Sequence, residues 1–327
     1  MIDYKRSNIK LWSRLGSCGA FGVAASELAQ TSDEVLMITS DLCFYSGLNR
    51  FKSKYPDRLY NCGIAEQNMV GVAAGLAKEG FVPFATTYAT FAAARCADQV
   101  RVNMGYMKLN MKLVGLTAGV SVGILGPTHI SIEDIAIIRS IPNIIILSPA
   151  DCTETVKATI AAAKIDAPVY LRLSGPMDNP VVYNEDYEFE IGKAIELKDG
   201  GDVSIIATGT MVYNSLKAAE ILDEKYSIQA KVIDMHTIKP LDTQTIDKAC
   251  KNNKLLVTVE EHSKIGGLGS AVAEYLSEKS VRPPQLIIGF CDEYKHAASY
   301  DYLIKQYELE PEQIAEKIVL KYKNMKG

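Results

Sequence analysis

The chain has 327 residues, 48% hydrophobic and 23% charged, with a formal net charge of −4. That length suits roughly two domains of about 150 residues each, and the composition is that of a globular protein with a real core. The mild acidity gives no basic field for nucleic acid, no apolar run reaches the roughly 18–20 residues of a membrane span, and M-I-D-Y-K-R-S-N-I-K lacks a signal-peptide core.

Short β-branched runs alternate with Ala-rich helical stretches from the start. Strands are predicted at 35–39 (V-L-M-I-T), 82–85, 111–115, 144–148 and 168–173. Helices are predicted at 18–30, 66–79, 90–107, 132–140 and 152–164. Strands that are apolar throughout and alternate with helices indicate a mostly parallel sheet covered on both faces. The stretch 174–192, with two prolines, two glycines and an acidic cluster, reads as a linker. The alternation then restarts, with strands at 203–208, 230–235, 254–260 and 285–290 and helices at 212–224, 242–251 and 267–278. The fold expected is α/β with two doubly wound domains. Residues 1–175 form the larger, 176–192 link, and 193–327 form the smaller.

Seven cysteines (Cys18, Cys43, Cys62, Cys96, Cys152, Cys250, Cys291) include no C-x-x-C pair. They read as reduced, mainly buried thiols of a cytoplasmic protein. The four histidines have no ligand spacing with a cysteine, so no metal site is expected in this chain.

Ligands of open parallel sheets bind beyond the carboxyl ends of the strands. Three segments are placed there: T-S-D-L with Asp41, A-T-T-Y-A-T-F with Tyr88 and Phe91, and G-V-S-V-G-I-L-G-P-T-H with His129. N-C-G-I-A-E-Q-N-M reads as a short turn into an apolar helix that opens at Glu66. Glu66 at a helix start has an ordinary reading as a dipole-stabilised cap worth a fraction of a kcal/mol. Tyr88 and Phe91 read equally as core aromatics, and His129 as a histidine satisfied inside a loop. His236 and His262 read as structural or interface residues, and G-G-L-G (266–269) as a helix start.

Six motifs in order carry a resemblance: G-I-A-E-Q-N-M, T-Y-A-T-F, G-P-T-H, the run 132–151, H-T-I-K-P-L-D and V-E-E-H-S-K-I-G-G-L-G-S. The chain resembles the second half of transketolase, its pyrimidine-binding and C-terminal domains, over about residues 12–320. The resemblance implies thiamine diphosphate as cofactor. It makes Glu66 the carboxylate that hydrogen-bonds the distal pyrimidine nitrogen and favours the imino tautomer, held rigid with small residues packed behind it. It makes Phe91 the stacking platform, Tyr88 a second wall, Asp41 a further cofactor contact, and His129 a donor to the substrate oxygen.

No G-D-G motif with a downstream Asn is present to hold a diphosphate and its metal; D-G-G-D at 199–202 precedes a strand and lacks that context. The resemblance therefore implies a split enzyme. A separate N-terminal subunit would carry the diphosphate half and hold Mg²⁺ or Ca²⁺, the cofactor would lie at the junction, and the assembly would be an α2β2 heterotetramer.

The substrate positions depart from sugar-phosphate transketolases. Leu125 stands where those have Asp, Thr117 where they have His, and Gly175 and Cys18 where they have Arg. Arg172 remains near that strand end, with a surface strand residue as its plain alternative. The expected activity is transfer of a two-carbon ketol or acyl unit between a ketose or oxo donor and an aldehyde. The alternatives are a deoxyxylulose-phosphate-synthase-like or 2-oxoacid dehydrogenase β-type subunit, or a non-catalytic partner-binding subunit.

Overall fold

The computed structural model describes residues 2–325. The first half builds β1 (Val35–Thr39), β2 (Leu59–Asn61), β3 (Val82–Tyr88), β4 (Lys112–Ala118), β5 (Ile145–Leu147) and β6 (Val169–Ser174). The second builds β7 (Ile195–Lys198), β8 (Val203–Ala207), β9 (Ala230–Asp234), β10 (Thr237–Lys239), β11 (Leu255–Ser263) and β12 (Gln285–Phe290). They form a seven-stranded sheet, β10-β5-β6-β4-β3-β1-β2, and a five-stranded sheet, β12-β11-β8-β9-β7. All pairings are parallel except the edge strands β10 and β7.

Alternate side chains of the first sheet feed two cores, as a sheet covered on both faces requires. Ile38, Ala85, Leu113 and Ile146 pack with Met69, Val70 and Ala73 of the helix Glu66–Lys78. Met37, Phe84, Val114 and Leu171 pack with Phe21 and Ala158 on the other face. The second sheet repeats the arrangement: Ile205 and Val257 face Ala218 and Ile318, while Ile206 and Leu256 face Ile246 and Val272. No described helix is long and apolar enough to cross a membrane.

Several elements differ from the sequence reading. β10, from the second half, adds to the edge of the first sheet beside β5. Lys239 Nζ at its end donates to the carbonyls of Arg139 and Ile141, which close the helix Asp134–Ser140. The first helix runs from Arg6 to Thr31, not from 18, and breaks at Gly16, whose φ of 72° is left-handed. Helices at Tyr300–Gln306 and Pro311–Asn324 extend the second half. The glycines behind Glu66 are not packed: a Cβ added at Gly71 or Gly75 would meet nothing within 4 Å, because they lie on the helix face away from Val70, Ala73 and Ala74. Only Cys96 and Cys152 are buried thiols. Cys18, Cys43, Cys62 and Cys250 are half-buried and Cys291 is exposed, mostly because they sit in loops or at helix edges.

The seam between the sheets is filled with ionisable groups. Arg172, 1% exposed, pairs with the fully buried Asp134 at 2.8 Å and donates to Glu261 O. It is neither a surface residue nor a substrate contact. Tyr170 donates to the same Asp134 oxygen. His262 is fully buried and lies against the backbone of the helix Asp134–Ser140, accepting from Ala136 N–H. Nearby, Asp151 accepts from the N–H groups of Glu154, Val182 and Tyr183. Tyr183 donates to Asp234 at 2.7 Å and Tyr187 to Glu154 at 3.0 Å.

Candidate functional site

The carboxyl edge of the seven-stranded sheet gathers the loops after β1, β2, β3 and β4. Glu66 opens the helix that follows β2 and is 5% exposed. It makes no capping bond to its helix. Its carboxylate turns sideways, and Oε1 accepts from Arg95 Nη1 at 2.6 Å. No donor reaches Oε2 among the described residues.

β3 continues past Tyr88 into a helical stretch that is wound wide at Phe91–Arg95, where Cys96 N–H bonds back to Phe91 O five residues earlier. Such wide turns recur at functional sites. Here the turn sets Phe91 and Arg95 on one side of the chain, with Arg95 Cζ 3.9 Å from the Phe91 ring centroid. The guanidinium thus stands over the Phe91 ring while one of its nitrogens binds Glu66.

Tyr88, Phe91 and His129 form one cluster. Tyr88 and Phe91 meet edge-to-face at 5.9 Å, and His129 lies 5.6 Å from Tyr88 and 5.4 Å from Phe91. These are ordinary aromatic-pair separations. His129 Nδ1 pairs with Thr128 Oγ1 at 2.9 Å, so Nε2 is the nitrogen left for a ligand. Tyr45, 58% exposed, reaches Tyr88 at 6.5 Å, and Phe44, 71% exposed, packs on Tyr45.

The remaining candidates divide. Cys18 lies against Thr117: the Thr117 backbone bonds the thiol, which burial pushes up to about 11. Tyr88 is raised mainly by burial, with Tyr45 and then Cys18 adding to it, which places Cys18 at the flank of the cluster. Thr117 has a left-handed φ of 51°, and its buried hydroxyl has no partner among the described residues. Leu125 is 45% exposed on the short turn Gly123–Leu125 that precedes G-P-T-H. Asp41 is exposed and tied to Asn61, accepting from Nδ2 at 2.9 Å and donating its N–H to Oδ1 at 3.0 Å. Gly175 stands apart from the cluster. Its φ is 90°, its N–H binds Ser121 Oγ, and a Cβ there would sit 2.7 Å from Asn179 and 2.8 Å from Thr210. It is a crowded junction glycine with no room for a side chain.

The site residue missing from the sequence reading is Arg95. Its signal was present, four residues after Phe91 and so one helical turn on.

The niche fits an aminopyrimidine. A planar, N–H-bearing group already lies on the aromatic face with its edge on a buried carboxylate, and one carboxylate oxygen remains to accept. Among the described residues, no group of three or more His, Cys, Asp or Glu side chains is arranged to hold a metal.

Residues 17–177 match the family model described as the transketolase pyrimidine binding domain, and residues 192–314 the transketolase C-terminal domain. The chain is 40% identical over 301 residues to a putative transketolase C-terminal section from Methanocaldococcus jannaschii, covering 91% of this chain and 94% of the relative. It is 41% identical over 289 residues to one subunit of the apulose-4-phosphate transketolase of Phocaeicola vulgatus, covering 88% and 91%. A solved structure of a split-gene transketolase, an inactive β4 tetramer, superposes with a TM-score of 0.82 at 38% identity, over 92% of this chain and 95% of that one.

Proposed function

This chain belongs to the transketolase family, and from that premise we propose that it is the C-terminal subunit of a split, thiamine diphosphate-dependent transketolase. It would move a two-carbon ketol or acyl unit from a ketose or oxo donor to an aldehyde. The observation that carries this reading is the niche itself: a buried Glu66 carboxylate beside Phe91, with His129 on the same cluster.

In this reading Glu66 exchanges a proton with the distal pyrimidine nitrogen. Its burial excludes water from that bond, and the helix start fixes its position. Phe91 offers a ring face, and such pairs contribute about 0.5–1.5 kcal/mol beyond buried area. His129 Nε2 points a hydrogen bond at the substrate oxygen. Thiamine diphosphate, when bound, supplies the carbon nucleophile. The exposed Phe44, Tyr45, Tyr60, Ile64 and Ile124 rim this edge. A separate subunit carrying the diphosphate half and its Mg²⁺ or Ca²⁺ would cover them in an α2β2 assembly. Free thiols throughout agree with a reducing compartment such as the cytoplasm.

Cys18 and Gly175 stand where sugar-phosphate transketolases have Arg, the usual reader of phosphate, Thr117 where they have His and Leu125 where they have Asp, so these positions bring no cation to a phosphorylated donor. We therefore propose a less phosphorylated, deoxy or oxoacid donor.

The test combines the purified chain with its partner subunit. Thiamine diphosphate should bind by calorimetry with Mg²⁺ only in the mixture, and ketol transfer should need both chains. Micromolar binding by this chain alone would contradict the split. A donor panel of xylulose 5-phosphate, fructose 6-phosphate, hydroxypyruvate and pyruvate reads the substrate class. A tenfold lead in kcat/KM for either sugar phosphate would overturn the donor assignment.

A further inference from the structure

Arg95 holds both contacts that a bound pyrimidine ring needs. Its Cζ lies 3.9 Å from the Phe91 centroid, and its Nη1 is 2.6 Å from Glu66 Oε1. A guanidinium is planar and presents N–H donors along its edge, as an aminopyrimidine does. Glu66 Oε2 stays open to a second donor, but a ring stacked on the same face of Phe91 would overlap the guanidinium.

We propose that Arg95 is a placeholder for the cofactor's pyrimidine ring: it fills the Glu66–Phe91 niche in the unloaded subunit and must withdraw for the ring to enter. The proposal rests on the pyrimidine-site reading of this niche. The side chain is built to leave. It is 46% exposed, so it can move into solvent without unpacking a core. Its anchor, the wide turn Phe91–Arg95, is secured through the backbone: Gln67 Nε2 donates to Arg95 O at 3.2 Å. Withdrawal therefore needs side-chain rotation only. In the meantime the placeholder keeps water off Phe91 and gives the buried carboxylate a partner, which an empty niche would not.

The cost of withdrawal is that of one half-exposed ion pair and one cation–π contact, which loading must overcome. Removing the guanidinium should accordingly tighten cofactor binding by roughly five- to twentyfold. The experiment uses the assembled two-subunit complex and measures thiamine diphosphate affinity by calorimetry for wild type and Arg95→Met. A second arm uses this chain alone, titrated with millimolar thiamine and read by ligand-observed NMR. Tighter binding by Arg95→Met in the complex, with the same order in the isolated chain, supports the placeholder. Equal or weaker binding by the variant, while wild type binds normally, overturns it and leaves the pyrimidine site standing. If neither wild type nor variant binds the cofactor in the complex, the site reading falls and the placeholder with it. Arg95→Lys separates charge from shape. It keeps the charge without a flat fork, so it should tighten binding less than Arg95→Met does. A variant as tight as Arg95→Met would show that the flat fork, not the charge, is the obstacle, whereas Arg95→Lys weaker than wild type would overturn the proposal.

Discussion

Two arginine–carboxylate pairs sit at opposite extremes in this molecule. At the seam, Arg172 is 1% exposed, its partner Asp134 is fully buried, and the same carboxylate oxygen also binds Tyr170. At the carboxyl edge, Arg95 is 46% exposed, and Glu66 spends a single oxygen on it. The N–O distances are similar, 2.8 and 2.6 Å, so geometry alone does not rank the two. Surroundings do. A buried pair cannot be opened without stranding a charge, whereas a half-exposed pair is exchanged with water at little cost. The seam is finished within this chain, while the edge is left half-made for something else to complete.

The largest expected effect breaks the edge. In the assembled enzyme, Glu66→Gln keeps the shape but weakens the proton exchange, and turnover should fall by about 10²–10⁴. Turnover within about threefold of wild type would remove Glu66 from the mechanism. Urea unfolding of the same variant should stay near wild type, since only a half-exposed pair is lost.

The seam should respond the other way. Asp134→Ala strands Arg172 in the interior and should cost about 3–5 kcal/mol of stability, read as a fall in the urea midpoint. A loss under about 1 kcal/mol would mean that water reaches the seam and that the contrast between the pairs is false.

A third test uses pH on the other buried cluster of the seam. Burial, with Asp151 adding to it, raises Asp234 to about 7 against the stabilising bonds of Tyr183 and Glu154. Glu154 is raised well above its usual range by burial and then by Asp234. Asp234 Oδ1 has no donor among the described residues, and a proton held between these two carboxyl groups would supply one. The folded state then binds a proton that the unfolded chain releases above about pH 4. This contribution is complete below that value and is lost as pH rises to and through about 7. Asp234→Asn removes the dependence. Relative to wild type it should gain about 2–4 kcal/mol between pH 4 and pH 8. His236 and His262, each lowered to about 4 mainly by burial, push the slope the other way but are common to both proteins. Parallel stability–pH curves for the two proteins would show that no proton is held.

The smallest effect is expected where the aromatics are bare. Phe44→Ser and Tyr45→Ser should each change the stability of the isolated chain by no more than about 0.5 kcal/mol, because exposed substitutions rarely do more. A drop above about 1.5 kcal/mol in thermal unfolding would make them part of this chain's own core.

The sequence by itself determined the local texture. β1 and the helix Glu66–Lys78 emerged within one residue of their predicted ends, because apolar runs and helical spacing are written in neighbouring residues. The gathering of Tyr88, Phe91 and His129 was also legible, since each lies in a string placed after a predicted strand, whereas Glu66 was marked by its helix start and its motif alone. Tertiary structure decided what lies against what. The strand Thr237–Lys239 is too short to show a period, and its partner β5 lies some ninety residues earlier, so only packing assigns it to the first sheet. Arg172 read as a cation near the substrate positions or else a surface strand residue, and only the fold shows Asp134 and Glu261 closing over it from two other elements. Arg95 fell inside the predicted helix 90–107 without a role, and its place over Phe91 depends on a wide turn that no composition announces. Gly71 and Gly75 looked packed and are bare. Spacing along a chain encodes which face a side chain takes; what meets that face is set by elements far away in sequence, and at the carboxyl edge much of it is still uncovered.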